Sequence, residues 1–199
     1  KEIVSNQDKF LDIASKSGEY AVSLYKRLTS DLGYSHEDVK DIIYSIPTSS
    51  IAYEFTRRFY EILDINVENI AAGFNAYDLI NVKNDKDEVD YERISSLLRQ
   101  KRGFSKITLR YEIKAGEKIV KFGAVIGNPP YQKGISEEKL NSSLSKQLFP
   151  YYTILSMEIT TNISSLIIPA RWFAGDAQDK SFLKLREFFK TKDTLSDLY

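Results

Sequence analysis

Five short apolar runs, each closed by a turn signal and spaced by helix-length stretches, constrain this chain most. They fall at residues 9–14, 41–46, 70–75, 122–127 and 164–168. Pro47 stops the second, Asn128-Pro129-Pro130 breaks the fourth and Pro169 stops the fifth. Between them, residues 18–30 carry Tyr20, Leu24, Tyr25 and Leu28 at helical spacing. Ser49 or Ser50 can cap a helix running to about Leu63, with Ile51, Phe55, Phe59 and Ile62 on one face. Residues 91–98 read as a surface helix, 144–160 are apolar at helical spacing, and 181–190 form a last helix. Strand and helix in regular order predict an α/β fold, a mainly parallel sheet with helices on both faces. Ligands bind such sheets at the carboxyl ends of the strands. That rim would gather the loops after Ala14, Asn75 and Gly127.

Two segments depart from the alternation. Residues 84–92 are highly charged and read as a solvated face. Residues 104–113 alternate, with Ile107, Leu109 and Tyr111 on one side, as in a half-exposed strand. The cluster Arg99, Lys101 and Arg102 is either a solvated helix end or a phosphate contact.

Composition narrows the chemistry. The 199 residues suit one domain, and 42% hydrophobic content supplies its core. Cysteine is absent, which excludes disulfides, thiolate nucleophiles and cysteine metal sites; the single histidine, His36, excludes a multi-histidine centre and reads as a surface residue in a polar turn. Lys plus Arg is 28 and Asp plus Glu is 28, so bulk positive charge is not how this chain would meet a nucleic acid. No window approaches ~18 uninterrupted apolar residues, so no membrane span is expected. A cytoplasmic location is the default.

The loop after the fourth run carries the sharpest chemistry. In Asn128-Pro129-Pro130-Tyr131 two prolines fix the backbone and remove two N–H donors. Neighbouring carbonyls are left free to accept. Asn128 adds a side-chain acceptor and Tyr131 a flat aromatic face. Fixed acceptors beside a stacking platform suit a planar amino group such as adenine N6. The plain alternative is a Pro-Pro turn with a buried tyrosine.

Following an apolar strand, this tetrapeptide resembles the catalytic motif of amino-directed, S-adenosyl-L-methionine-dependent methyltransferases. The chain as a whole resembles the gamma-type adenine-N6 DNA methyltransferases (N-6 DNA methylases) of restriction–modification systems, the fused methylase–endonuclease type in particular. Three further segments carry the likeness. The stretch from Phe10 to Tyr20, with Asp12, Ala14, Ser15 and Gly18, is similar to the cofactor loop Leu-Asp-Pro-Ala-Cys-Gly-Ser-Gly-Asn-Phe. Phe74 to Asp78 is similar to the motif after the third strand, and Leu166 to Phe173 to the segment after the fifth. The order agrees over most of residues 9–175.

The resemblance implies a Rossmann-like methyltransferase fold and S-adenosyl-L-methionine as cofactor, with no metal. It implies catalytic roles for Asn128, Pro129, Pro130 and Tyr131. Asp12, Ala14, Ser15, Gly18 and Asp78 would bind cofactor. For Asp12 the alternative is a helix cap near Gly18, and for Asp78 a turn residue. Arg171 and Trp172 would touch a flipped base or DNA, or pack in the core. The implied partner is double-stranded DNA, read by a target-recognition domain outside these residues; an endonuclease domain on the same protein belongs to the same expectation. A protein glutamine or ribosomal-RNA guanine amine is the rival substrate, because those enzymes share the tetrapeptide. A catalytically silent scaffold is the rival role.

Departures from the family pattern are Lys16 in place of a loop glycine, Ser15 in place of cysteine, and Pro47 where an acidic residue usually takes the cofactor ribose. Ser49 or Ser50 would serve the ribose instead. The sequence begins at Lys1 and reads as a piece of a longer protein, one partial catalytic domain with a cofactor half at 9–80, a charged insertion at 81–117 and a catalytic half at 118–199. Weak or no cofactor binding is expected of these residues alone.

Overall fold

The protein was analysed as a computed structural model, which describes residues 8–82, 90–98, 110–114, 117–132, 147–175, 177, 180–192 and 195. The fully buried apolar runs become parallel strands: β1 (Phe10–Ser15), β2 (Ile43–Pro47) and the second half of β4 (Glu117–Gly127). A strand covered on both faces needs apolar side chains on both. Joined by β5 (Thr160–Leu166), they form a four-stranded all-parallel sheet in the order β2-β1-β4-β5. The first half of β4 pairs antiparallel with β3 (Arg110–Lys114), from Arg110↔Lys121 to Lys114↔Glu117.

Helices cover both faces. The β1 alternation sends Leu11 and Ile13 toward α4 (Ala76–Asn81), α5 (Tyr91–Leu98) and α6 (Phe149–Glu158), where Leu79, Ile94, Leu98, Tyr152 and Leu155 complete one core. Phe10 and Ile43 face α1 (Glu19–Lys26), α2 (His36–Val39) and α3 (Ser50–Ile62), meeting Ala21, Val39 and Tyr60. A smaller cluster joins Phe149 to Trp172 and to Phe182 and Leu185 of α7 (Ser181–Lys192). This is the expected α/β architecture of a Rossmann-like methyltransferase. The strand pairing changes register between Phe122 and Ala124. There a β-carbon on Gly123 would lie 2.6 Å from the Asp8 β-carbon, closer than packed atoms come, so any side chain at this position must displace Asp8.

Several boundaries differ from the sequence reading. The third run is no strand: Ile70 makes a single parallel bridge to Ser45, and the chain turns into α4 six residues later. β5 begins at Thr160 rather than 164, and α6 ends at Glu158, because the apolar period of 144–160 belongs to two elements. α5 is a surface helix with one face in the core: Ile94 and Leu98, four residues apart, are fully buried, while Arg93 and Ser96 are exposed. α3 buries Ala52, Thr56 and Tyr60, while the stripe Ile51, Phe55, Phe59 and Ile62 is exposed. The charged residues 84–89 lie outside the described residues, as do Arg99, Lys101, Arg102, Ile107 and Leu109. Among the described residues, no helix is long and apolar enough to cross a membrane, and no cluster of side chains could hold a metal ion.

Candidate active site

All four parallel strands end on one rim, and the central pair sets the site. After β1 the chain turns through Ser15, Lys16, Ser17 and Gly18 into α1. Gly18 has φ +81°, and a β-carbon there would also lie 3.3 Å from the Thr56 Cα of α3. Glycine is needed on both counts. The Ser15 hydroxyl holds the turn closed, accepting from the Gly18 N–H at 3.1 Å and bonding the Thr56 hydroxyl at 3.1 Å. Its carbonyl accepts from the Thr48 N–H at 2.9 Å, tying the ends of β1 and β2. Lys16 is exposed.

Asp12 lies beneath this turn, 2% exposed, and neither carboxylate oxygen makes a hydrogen bond. Burial pushes its pKa up to about 7; the nearby Ser15 hydroxyl and Ala14 backbone offset this only in part, and Glu19 adds to it. The capping alternative for Asp12 fails, because the Gly18 N–H at the start of α1 is taken by the Ser15 hydroxyl and not by the Asp12 carboxylate.

β4 runs beside β1 with Asp12 opposite Ile126. It delivers Asn128-Pro129-Pro130-Tyr131 directly next to the β1 turn. The Asn128 side-chain oxygen is buried with no hydrogen-bond partner. Such a group costs free energy unless something donates to it. Pro129 is buried, and Tyr131 is 39% exposed, with its ring edge-on to Phe149 at 6.5 Å. A buried-tyrosine turn is therefore not what forms here. The loop is held on two sides: the Ile167 N–H donates to the Gly127 carbonyl at 2.9 Å, and the Leu148 N–H to the Tyr131 carbonyl at 2.9 Å.

The Tyr20 hydroxyl of α1 has its pKa raised, first by burial and then by the charges of Asp12, Glu19 and Tyr131. In the sequence Tyr20 stands both in a helical stripe and at the end of the segment similar to the cofactor loop.

Asp78 stands apart from this group. It caps α4, its Oδ2 accepting from the Asn75 N–H at 2.8 Å, while the Asn75 side chain accepts from the Tyr77 N–H at 2.9 Å. It also lines an open cleft of about 790 Å³ beyond the end of β2, with Pro47, Ser49, Ser50, Ile51, Phe55, Arg58 and Phe74. The first half of the exposed stripe of α3, Ile51 and Phe55, thus forms part of the wall of a cleft. Ile51, Phe55 and Arg58 escaped the sequence reading because an apolar helical period looks the same whether it faces a core or a cleft.

The residues present fit an adenosyl cofactor in outline. The cleft offers apolar walls and the Asp78 carboxylate, and the glycine turn and unpartnered Asp12 stand at the neighbouring strand end. The ribose side is weaker. Pro47 offers no side-chain acceptor, and the Ser49 hydroxyl is already engaged as the α3 N-cap, accepting from the Ala52 N–H at 3.1 Å. Ser50 remains exposed in the cleft.

Trp172 packs in the core at 4% exposure, stacked on Phe173 at 4.2 Å, so it is not a base-contacting residue. The Arg171 guanidinium donates to the Gln147 side-chain oxygen and lies 5.9 Å from the Phe182 ring centre. His36 is half-buried rather than a free surface residue. Its Nδ1 meets the Tyr25 hydroxyl at 3.0 Å and its Nε2 faces Asp64 at 3.3 Å, on the α2 side of the molecule.

With this geometry in view, the relatives are informative. An "Uncharacterized adenine-specific methylase" of Mycoplasma pneumoniae is 26% identical to this chain over 110 residues. That stretch covers 53% of this chain and 25% of the relative, so the chain spans about a quarter of that protein's length. The family model of the Eco57I restriction-modification methylase matches residues 41–199, from just before β2 through the Asn-Pro-Pro-Tyr loop to the end. The chain belongs to the Eco57I restriction-modification methylase family.

Proposed function

We propose that this chain is part of a DNA adenine-N6 methyltransferase of a restriction–modification protein. The observation that carries the reading is the Asn128 side-chain oxygen, buried and unpartnered at the end of β4 in a chain of this methylase family. An exocyclic amine would supply the missing donor. S-adenosyl-L-methionine, when bound, supplies the methyl group.

The remaining chemistry falls to the chain. The adenine N6 lone pair is delocalised into its ring. Accepting its two hydrogens, by the Asn128 side chain and the Pro129 carbonyl, favours the tetrahedral nitrogen that attacks. Such bonds strengthen in the transition state, which is what lowers the barrier. The Asn128 side chain and the Pro129 carbonyl would hold N6 in place for the methyl that bound S-adenosyl-L-methionine would supply, and N6 would give one proton to solvent. Pro130 fixes the turn. Tyr131, with its exposed ring, stacks on a base that has left the duplex. Flipping costs a few kcal/mol and stacking returns ~1–3 kcal/mol. Ala14, Ser15 and Gly18 shape the turn that receives the cofactor, Asp12 orients it, and Asp78 takes the cofactor's adenine amine.

Double-stranded DNA is the proposed partner, read by a target-recognition domain outside these residues and acting in the cytoplasm; an endonuclease on the same protein accompanies this reading. Pro47 in the ribose position favours a second reading, a catalytically silent scaffold. Calorimetry with S-adenosyl-L-methionine on the full-length protein separates the two. Absence of binding supports the scaffold. If binding is found, methylation-sensitive sequencing of host DNA is expected to show an adenine motif that disappears in an Asn128→Ala strain; a motif that persists assigns the activity to another protein.

A further inference from the structure

Arg171 and Gln147 form a contact that the proposed chemistry does not use. Gln147 is 7% exposed and directly precedes Leu148, whose N–H holds the Tyr131 carbonyl. It also pairs with Gln132, the residue after Tyr131, in an isolated antiparallel bridge. The chain therefore leaves the catalytic loop at Gln132 and returns beside it at Gln147. Two residues later Phe149 presents its ring to Tyr131 at 6.5 Å and to Phe182 at 5.5 Å. Arg171 comes from a different part of the fold, the turn after β5. It binds the Gln147 side-chain oxygen and lies over Phe182. That turn is itself held by Arg186 of α7, which donates to the Trp172 carbonyl at 2.6 Å and the Gly175 carbonyl at 2.8 Å.

We infer that Arg171 and Gln147 are positioning residues. They lock the residue pair 147–148 against the turn after β5, and so set the height and plane of Tyr131 for a stacked base. The inference rests on the methyltransferase reading for its purpose. Its geometry stands without it.

A guanidinium–amide bond to a buried acceptor is directional, so its loss frees the 147–148 strand end while the β1 side of the site is untouched. In the full-length protein, Gln147→Leu and Arg171→Met are each expected to speed exchange of the Leu148 amide ~10-fold, with the β1 amides unchanged. Each is expected to lower kcat for methyl transfer to unmethylated genomic DNA by ~10- to 100-fold, leaving KM for S-adenosyl-L-methionine unchanged. The double variant should be no worse than either single one, because both remove the same contact. Gln147→Glu keeps an acceptor for Arg171 and should retain wild-type exchange and kcat. Unchanged Leu148 exchange, additive effects, or a Gln147→Glu variant as poor as Gln147→Leu overturns the inference. So does a direct DNA contact by Arg171, which would raise KM for DNA in Arg171→Met and leave Gln147→Leu silent. If the wild-type protein transfers no methyl to DNA, the functional reading fails alone, and the exchange measurement still decides the brace.

Discussion

Asp12 and Gly127 stand side by side at the ends of the two central strands: a β-carbon on Gly127 would lie 3.7 Å from the Asp12 Oδ1 and 3.2 Å from the Ile13 Cγ2. The absence of a side chain at Gly127 leaves the carboxylate in a tight apolar corner. Asn128, the next residue, presents its own unpartnered oxygen. A buried carboxylate thus stands at the end of the first strand, and a buried amide oxygen without a donor at the end of the fourth.

Asp12 sets a pH dependence of stability. Its pKa is near 3.8 when exposed and about 7 in the fold. In that window the folded chain holds a proton that the unfolded chain has lost, so stability is greatest below pH 4 for this group and falls as pH rises to about 7. The slope approaches ~1.4 kcal/mol per pH unit. Asp12→Asn should flatten this part of the profile and stabilise the chain at pH 8. Urea unfolding at pH 5 and pH 8 measures it; an equal slope in both proteins would show that another group is responsible.

Removing the Asn128 acceptor should separate activity from stability. Its oxygen has no partner to lose, so Asn128→Ala is expected to change unfolding free energy by less than ~0.5 kcal/mol while lowering kcat ~100-fold or more. Thermal unfolding and methyl-transfer rates check the two halves independently. A large loss of stability would mean that the side chain is structural.

Ser15 closes the β1 turn through two buried bonds. Ser15→Ala leaves the Gly18 N–H and the Thr56 hydroxyl without that partner, at a cost of ~1–3 kcal/mol. Faster exchange of the Gly18 amide should accompany the loss. Ser15→Cys, which keeps a weak S–H donor and acceptor, should cost less than Ser15→Ala; the opposite order would argue that volume rather than bonding matters.

Two glycines test packing against backbone conformation. Gly123→Ala meets Asp8 at 2.6 Å and should cost ~1–3 kcal/mol, since the β1–β4 contact must open. Gly33 has φ +76° with nothing within 4 Å, so Gly33→Ala should cost only ~1 kcal/mol, from backbone conformation alone. Denaturant midpoints rank them.

Pro47→Glu restores an acidic side chain beside the cleft. If the cleft holds the cofactor ribose, one charge-assisted bond should tighten S-adenosyl-L-methionine binding ~10-fold. Calorimetry on wild type and variant decides this, and an unchanged dissociation constant would move the ribose elsewhere.

Much of this was legible in the sequence because burial on both faces of a parallel strand leaves a continuous apolar run. The runs at 9–14, 41–46 and 122–127 became β1, β2 and the second half of β4 for that reason. The two prolines after Asn128 likewise determined a rigid turn with free acceptors, since proline acts on its own backbone without help from the rest of the fold. Pairing and covering were decided only in three dimensions. The stripe on α3 was visible as a stripe, but only packing showed that its first half lines a cleft while Ala52, Thr56 and Tyr60 face the sheet. The resemblance singles out Asp12 as a cofactor-loop residue, but its burial and raised pKa follow only from the strands and helices packed around it. Gln147 and Arg171 carry no motif at all. They meet because α6 and the turn after β5 come together at the rim, and a contact between residues 24 positions apart leaves no local period in the chain.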